Sequence, residues 1–266
     1  MINNFKFPSF LKGFGLLKIL LIIPYYFIQK NYIFGLIFKK FIKIYTIKIK
    51  NTYLKFDIPT LRSNYEYSCF FFKTYELNDL TLIKRWVKKG DNILVIGGGI
   101  GLTTAAAYYI CKKKIYTSEI NLSLNDLLSR NLRKNHVKFE LVDKNIYFNK
   151  NKANKNYINC SKNFVESSFY KLASNVTKQK INNISFNRLQ KKFQINFDTL
   201  IMDCEGYEFD ILTNIAKYER VKKIIFELHP DLLGPKKTKK IFQVLSKNYF
   251  VKKDEFLNSF VFEKSD

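Results

Sequence analysis

The pattern of apolar and polar positions near the start of the chain predicts two kinds of element. Residues 10–28 and 32–42 are apolar stretches with lysines at their margins, which is typical of helices with one buried face. Residues 42–50 and 52–58 alternate apolar and polar side chains around a short polar break, which predicts a β-hairpin. A further strand is predicted over residues 67–73.

From residue 76 onward, short apolar runs alternate with stretches of helical periodicity. This succession is typical of β-α-β units with right-handed crossovers. It predicts an α/β domain over residues 75–266, with a Rossmann-like, mostly parallel seven-stranded sheet and helices on both faces, preceded by an N-terminal layer over residues 1–74. Residues 149–180 are polar and fit no regular element. Strands are predicted at 92–96, 114–118, 137–142, 197–202, 221–228, 249–252 and 259–263, and helices at 78–87, 102–110, 122–134, 184–192, 209–218 and 236–247.

The formal charge of +24 has two interpretations. A strongly basic chain can bind nucleic acid or anionic lipid. However, only six of the 46 basic residues are arginine, the side chain that nucleic-acid readers use for bidentate contacts, so the excess of lysine is better explained by biased genome composition. Nucleic acid is therefore not the expected partner, although the charge alone does not exclude it.

Residues 1–50 contain no acidic side chain and offer a possible membrane contact. The longest apolar run, residues 19–28, is too short for a spanning helix, which needs about 20 residues. Two interpretations stay open: the apolar helices lie on an anionic membrane surface, or they pack on the body of the protein.

The four cysteines, Cys69, Cys111, Cys160 and Cys204, are scattered and form no Cys-x-x-Cys pair. With only two histidines in the chain, no metal site is expected. Isolated thiols indicate a reducing compartment. The expected location is therefore the cytoplasm, with possible peripheral attachment to the inner face of the membrane.

A glycine-rich turn follows the first strand of the α/β domain. Gly97, Gly98, Gly99 and Gly101 lie between that strand and a helix N-terminus, where backbone N–H groups can bind a carboxylate or phosphate. Glu119 comes 22 residues after Gly97, at the end of the next strand, where a carboxylate can accept hydrogen bonds from both hydroxyls of a ribose. The spacing G-x-G-x-G lacks the third glycine of the dinucleotide pattern and favours S-adenosylmethionine as the cofactor.

A second group of functional residues follows the strand at 197–202. Three acidic residues directly follow the carboxyl end of that strand: Asp203, Glu205 and Glu208. This is the edge of the sheet at which α/β folds bind ligands. Carboxylates that directly follow a buried strand need a partner, so Asp203 and Glu205 are candidates for function. For Glu208, a favourable interaction with the helix dipole explains the residue equally well.

These motifs together resemble the FkbM family of methyltransferases. The resemblance covers residues 75–263 and rests on Tyr75-Glu76, Asp91–Gly101, Glu119, the helix 121–135, Asp203-Cys-Glu-Gly-Tyr-Glu208 and Glu227-Leu-His229. It implies a class I methyltransferase fold, S-adenosylmethionine as cofactor and O-methylation of a sugar or other small-molecule hydroxyl. The chain departs from the family at Val95, where an acidic residue is usual.

The candidate site residues follow from the motifs and the resemblance together. Cofactor contacts are expected from Glu76, the four glycines, Glu119 and Asp203, and the candidates for the general base are Asp203, Glu205 and His229. Three alternatives stay open: a non-catalytic membrane-surface protein that retains the fold, an RNA 2′-O-methyltransferase, and a nicotinamide-dependent oxidoreductase.

Overall fold

The computed structural model describes residues 43–58, 67, 69–71, 73–149, 157–161, 176–248 and 250–265. The chain divides into two compact units: residues 1–43 with 63–75, and residues 44–62 with 76–266. The described residues of the first unit include a helical stretch at 67 and 69–71, so the prediction of a strand over 67–73 is wrong. The predicted apolar helices over 10–28 and 32–42 lie outside the described residues.

The second unit contains thirteen described strands and six described α-helices. The strands are β1 (Ile44–Ile49), β2 (Thr52–Asp57), β3 (Ile93–Ile96), β4 (Ile115–Ser118), β5 (Phe139–Val142), β6 (Lys144–Tyr147), β7 (Tyr157–Ser161), β8 (Val176–Lys180), β9 (Asn182–Ser185), β10 (Thr199–Met202), β11 (Lys223–Glu227), β12 (Phe250–Phe256) and β13 (Ser259–Lys264). The helices are α1 (Leu77–Trp86), α2 (Leu102–Cys111), α3 (Leu122–Lys134), α4 (Phe186–Phe193), α5 (Glu208–Leu212) and α6 (Pro230–Lys247), with a 3₁₀ turn at Ile215–Lys217.

Seven of these strands form one sheet in the order β12-β13-β11-β10-β3-β4-β5. Strands β11, β10, β3, β4 and β5 are parallel, whereas β13 runs antiparallel to β11 and β12 antiparallel to β13. The second unit therefore has a Rossmann-like α/β fold with a mostly parallel seven-stranded sheet, and the predicted fold class is confirmed. The order reverses at β3 and β10, where ligands bind at the carboxyl edge of such sheets.

Both faces of the central strands are covered, because every residue of β3, β4 and β10 is buried. On one face, Leu94 and Leu200 belong to an apolar core with side chains from α4, α5 and α6. On the other face, Thr104 of α2 donates a hydrogen bond to Thr117 of β4 at 3.1 Å. Continuous apolar strands are what a parallel sheet with helices on two sides requires.

The β1–β2 hairpin belongs to the second unit, whereas the predicted domain boundary placed it with the N-terminal layer. The physical reason lies in two asparagines, Asn131 of α3 and Asn135, which directly follows this helix. Asn131 accepts a hydrogen bond from Asp57 N at 2.8 Å and donates one to Asp57 O at 3.1 Å, so its amide pairs with β2 as a neighbouring strand would. Asn135 makes the same pair of bonds with the backbone of Lys55.

Several predicted elements differ from the structure. Ile184 and Ser185 end β9 instead of beginning a helix, and the Ser185 side chain accepts from Arg188 N to cap α4. The predicted helix at 209–218 is interrupted after Leu212, and α6 begins at Pro230 and is kinked at Gly234. Among the described residues, no helix is both long and apolar enough to cross a membrane.

Candidate active site at the carboxyl edge of the sheet

The glycine turn, Gly97–Gly101, connects β3 to α2 and passes close to two neighbouring segments. A Cβ atom on Gly97 would lie 1.7 Å from the carbonyl oxygen of Asp203, and one on Gly98 would lie 2.4 Å from Leu128 Cδ1. Gly97, Gly99 and Gly101 have positive φ values of 89°, 52° and 93°. Only glycine therefore fits at Gly97, because both the backbone conformation and the close approach of Asp203 exclude a side chain.

Gly99 differs from Gly97 in the space around it. Among the described residues, a Cβ atom there would meet only Glu76 Oε1, at the ordinary contact distance of 3.6 Å. Helix α2 then begins at Leu102 with no acidic residue in its first turn and no side-chain cap from the described residues. The N-terminal N–H groups of α2 therefore point toward the open side of the turn, where an anionic group can accept from them.

Glu119 directly follows β4 and connects this strand end to the glycine turn. Its Oε2 accepts from Gly99 N at 2.9 Å, and its Oε1 accepts from Asn121 N at 2.8 Å. The residue is 7% exposed, and burial raises the pKa of its carboxyl group to about 7. Each carboxylate oxygen can accept more than one hydrogen bond, so a ligand lying on the turn can still bind Glu119.

Glu76 caps the N-terminus of α1 with a left-handed backbone, at φ 50°, and its carboxylate lies beside Gly99. Val95, at which the resembled family has an acid, is 1% exposed within β3, between Thr117 of β4 and Ile201 of β10. No carboxylate therefore reaches the turn from β3. Glu76, which the resemblance to the FkbM family predicted as a cofactor contact, places one there from the N-terminus of α1.

Asp203 directly follows β10, and its backbone N–H donates to Ile96 O at 3.0 Å. The following turn contains Glu205 at φ 47°, a conformation that costs a residue other than glycine about 1–3 kcal/mol. This turn brings the carboxylates of Asp203 and Glu205 to the same ring nitrogen of His229. Asp203 Oδ1 and Glu205 Oε2 each lie 3.6 Å from His229 Nε2.

Glu208, the first residue of α5, holds the other side of the same ring. Its Oε1 lies 2.7 Å from His229 Nδ1 and also accepts from Gly206 N at 3.1 Å. Burial opposes charge on the imidazole, but the bond to Glu208 and the charges of Asp203 and Glu205 outweigh it and raise the pKa of His229 to about 10. The three carboxylates around the ring therefore favour the protonated form of His229.

Two further carboxylates join the site, and sequence reasoning missed their role. Asp79 of α1 is 2% exposed and accepts from Ser259 Oγ at 2.8 Å, and Glu227 ends β11. Burial and the charge of Asp203 raise the pKa of Asp79 to about 7 and that of Glu227 to about 9. The sequence could have indicated a role for Glu227, because it lies two residues before His229. It could not have indicated one for Asp79, which looks like any acidic residue in the first turn of a helix.

We refer to Asp79, Asp203, Glu205, Glu208 and Glu227 as the acidic group. Two subsets could hold a metal ion, because their ligand atoms lie within 4.8 Å of one another: Asp203, Glu205 and His229, and Asp79, Asp203 and Glu227. The absence of a metal site stays a prediction. Burial raises the pKa of the Asp203 carboxyl group, the charge of His229 lowers it, and the charge of Glu208 raises it.

The structure thus brings the predicted site residues together in two neighbouring parts. The first part is the glycine turn with Glu76 and Glu119, and the second is Asp203, Glu205 and His229. The Gly97–Asp203 contact joins the two parts. An elongated ligand can therefore lie across both strand ends, with one end at Glu119 and the other at Asp203.

No family model and no curated protein sequence matches the chain. Among solved structures, it is similar to a ribosomal protein L11 methylase from Lactobacillus delbrueckii subsp. bulgaricus, at 15% identity and a TM-score of 0.44, over 73% of this chain and 79% of that chain. It is also similar to an O-methyltransferase, described as SAM-dependent, from Thermotoga maritima, at 11% identity and a TM-score of 0.42, over 71% and 65%. A fibrillarin from Aeropyrum pernix with natively bound S-adenosyl-L-methionine is 15% identical, with a TM-score of 0.39 over 66% of each chain. With TM-scores below 0.5, these similarities do not establish the function of the chain.

Proposed function

We propose that the protein is a methyltransferase that uses S-adenosylmethionine. The observation that carries this proposal is the buried carboxylate of Glu119, hydrogen-bonded to Gly99 N at the carboxyl edge where the strand order reverses. A carboxylate at the end of the second parallel strand can bind both hydroxyls of a ribose. The G-x-G-x-G spacing of the glycine turn fits the adenosyl cofactor better than a dinucleotide.

The residues around the glycine turn fit the charges of the methionine part of the cofactor. Its carboxylate can accept hydrogen bonds from the N-terminus of α2, which the described side chains leave uncapped. Its ammonium group can pair with the carboxylate of Glu76, which lies beside Gly99. Glu76 would then supply the negative charge that Val95 does not supply from β3.

When bound, S-adenosylmethionine supplies a methyl group on a sulfonium, an electrophile that a hydroxyl oxygen can attack. The new O–C bond forms as the C–S bond breaks, so the residues of the chain must align the acceptor and remove the hydroxyl proton. Asp203 and Glu205 are the groups that can take this proton. His229 cannot, because its raised pKa keeps both ring nitrogens protonated.

Asp203 is the preferred base of the two. It directly follows β10 and touches the glycine turn through its backbone, so it is closest to the expected position of the cofactor. Its Oδ1 is buried and has no hydrogen-bond partner among the described residues, and its carboxyl pKa is raised by burial. A carboxylate with a raised pKa binds a proton more strongly, which improves it as a base.

The acceptor that we propose is a hydroxyl of a sugar or another small molecule, as the resemblance to the FkbM family implies. The acidic group favours an acceptor without its own negative charge, because phosphates would be repelled by Asp203, Glu205 and Glu208. This argues against an RNA 2′-hydroxyl at this site, despite the net charge of +24 on the whole chain.

Calorimetric titration of the purified protein with S-adenosylmethionine and S-adenosylhomocysteine tests the cofactor. We expect binding of both ligands in the micromolar range and no binding of NADH. Glu119→Gln should weaken this binding. Glu140→Gln is its matched control, since Glu140 is a partly exposed carboxylate on β5 that pairs with Lys114. A folded protein that binds neither adenosyl ligand would contradict the proposal.

Transfer of a labelled methyl group from S-adenosylmethionine to monosaccharides, oligosaccharides and RNA tests the acceptor. Label in a neutral sugar supports the proposed acceptor class. Label only in RNA would support the cofactor but overturn the sugar assignment.

A further inference from the structure

Glu208 is buried more deeply than a helix-dipole role requires. It is 0% exposed, although a favourable charge at a helix N-terminus contributes only a small stabilisation and does so at an exposed position. Removing a carboxylate from water costs several kcal/mol unless other groups compensate. Helix α5 has only five residues, so its dipole cannot provide this compensation.

The compensation comes from His229. Glu208 Oε1 lies 2.7 Å from His229 Nδ1, the distance of a charge-assisted hydrogen bond, and accepts a second bond from Gly206 N. Because Nδ1 is bound on this side, the ring presents its other nitrogen to the turn after β10. The bond from Gly206 N holds the carboxylate of Glu208, and the bond from that carboxylate to Nδ1 orients the imidazole.

His229 Nε2 faces Asp203 and Glu205 without hydrogen-bonding to either. Both separations are 3.6 Å, whereas N–H···O bonds measure 2.7–3.2 Å. An acceptor hydroxyl entering between the two carboxylates can therefore approach Nε2. The ring is placed where it can orient that hydroxyl oxygen while a carboxylate takes the proton.

We propose that Glu208 is a positioning residue for the transfer reaction, and that it acts through His229 by holding Nδ1 so that Nε2–H faces Asp203, Glu205 and the acceptor hydroxyl. This inference rests on the proposed methyltransferase function and deepens it by assigning a role to Glu208. Glu208 itself contacts neither the expected cofactor position at the glycine turn nor the acceptor.

The charge state of His229 depends on groups from four elements. Glu208 faces it from α5, Asp203 and Glu205 from the turn after β10, and Asp79 of α1 and Glu227 of β11 interact with it through their charges. Of these, only Glu208 is in hydrogen-bond contact with the ring. Removing the charge of Glu208 should therefore lower the pKa of His229 more than removing any other single charge.

The test is an NMR titration of the imidazole signals of the full chain. The chain has two histidines, and His136 is exposed, so a His136→Gln background leaves His229 as the one signal to follow. We expect Glu208→Gln to lower the pKa of His229 by more than one unit and to reduce kcat at least 10-fold. Binding of S-adenosylmethionine should change less than twofold. Asp231→Asn is the matched control, because Asp231 is an exposed acid two residues from His229 and should change neither quantity.

A double-mutant cycle separates positioning from a general structural role. If Glu208 acts through His229, the variant carrying both Glu208→Gln and His229→Gln should be no less active than His229→Gln alone. Additive losses, or an unchanged His229 pKa in Glu208→Gln, would overturn the proposal. If Glu208→Gln does not fold, Glu208→Asp replaces it, and a His229 pKa equal to that of the parent would be the contradicting result.

A titration with Mn²⁺ tests whether His229 Nε2 faces Asp203 and Glu205 because the three side chains bind a metal ion. If Mn²⁺ binds to the parent protein but not to His229→Gln, and EDTA abolishes methyl transfer, His229 Nε2 is a metal ligand rather than a hydrogen-bond donor, and the proposal is wrong. Methyl transfer that is unaffected by EDTA supports it. The NMR measurement needs neither cofactor nor acceptor, so failure of the proposed methyltransferase function would show separately as an absence of S-adenosylmethionine binding.

Discussion

The two parts of the site differ in which groups of the protein form them: backbone atoms at the glycine turn, and charged side chains at the ends of β10 and β11. At the glycine turn, the backbone provides the geometry: three positive φ values, a helix N-terminus and one buried carboxylate that accepts from Gly99 N. At the ends of β10 and β11, side chains provide it, with five carboxylates and one imidazole contributed by α1, α5, the strand ends and a turn.

This difference indicates how each part should respond to substitution. A site made by the backbone depends on close approach, so an added methyl group is the most damaging change. A site made by charged side chains depends on balance among its charges, so removing one charge changes the proton affinity of the others. The expected consequences differ in both size and kind.

The largest effect is expected at Asp203. Asp203→Asn keeps the size of the side chain but removes the proposed base, so kcat should fall about 10²–10⁴-fold. Binding of S-adenosylmethionine, measured by calorimetry, should change little. Asp143→Asn is the control, because Asp143 is exposed and follows β5 as Asp203 follows β10. If Asp203→Asn lost cofactor binding but kept its kcat, Asp203 would be a cofactor contact and not the base.

Gly97→Ala should damage the backbone-built part. The added Cβ would lie 1.7 Å from Asp203 O in a backbone conformation that favours glycine, and we expect the free energy of unfolding to fall by about 3 kcal/mol. Gly90→Ala is a matched control with a φ of 96° and no atom within 4 Å of the new Cβ, and it should cost only about 1 kcal/mol. Equal losses in urea unfolding would show that the contact with Asp203 is unimportant.

Glu119→Gln removes the charge that is proposed to bind the ribose. A hydrogen bond to a charged group contributes about 1.5–3 kcal/mol, so the Kd for S-adenosylmethionine should rise about 10- to 100-fold. The Kd of Glu140→Gln should equal that of the parent protein. If Glu119→Gln binds the cofactor as tightly as the parent protein, other groups bind the ribose hydroxyls, and the Glu119 carboxylate only stabilises the glycine turn.

The effect that is least confined to one residue is the pH dependence of stability. The folded-state pKa values of Asp79 and Glu119, about 7, Glu227, about 9, and His229, about 10, all lie above the ordinary values of these groups. The folded protein therefore binds more protons than the unfolded chain between about pH 4 and pH 10, so stability is greatest at the low end of this window and is lost as the pH rises.

Urea unfolding at pH 6 and pH 9 measures this difference. We expect the free energy of unfolding to be lower at pH 9 than at pH 6, and Glu227→Gln to reduce the difference, since glutamine does not titrate. Gly90→Ala should leave the difference unchanged. Greater stability at pH 9 would contradict the charge balance assigned to the acidic group.

Much of the fold could be predicted from the sequence because its signals are local. The helix at 122–134 has the predicted ends, since the side chain of Asn121 accepts from Ser123 N at its N-terminus. The glycine turn and Glu119 could be placed because each directly follows a buried apolar strand. In contrast, residues 149–180 gave no prediction, and their described part forms β7 and β8, a small two-stranded sheet of largely polar residues.

The sequence by itself determined the order of the elements, the glycine turn and the acidic strand ends, because hydrophobic periodicity and glycine spacing act over a few residues. Only the tertiary structure decided that Asp79 faces Asp203, that Glu208 is buried against His229, and that Asn131 and Asn135 attach the hairpin to α3. These pairs are 21 to 124 residues apart, and an acid or amide on a helix has the same local pattern whether it faces water or a partner. Burial and proximity in the folded chain gave these side chains their roles.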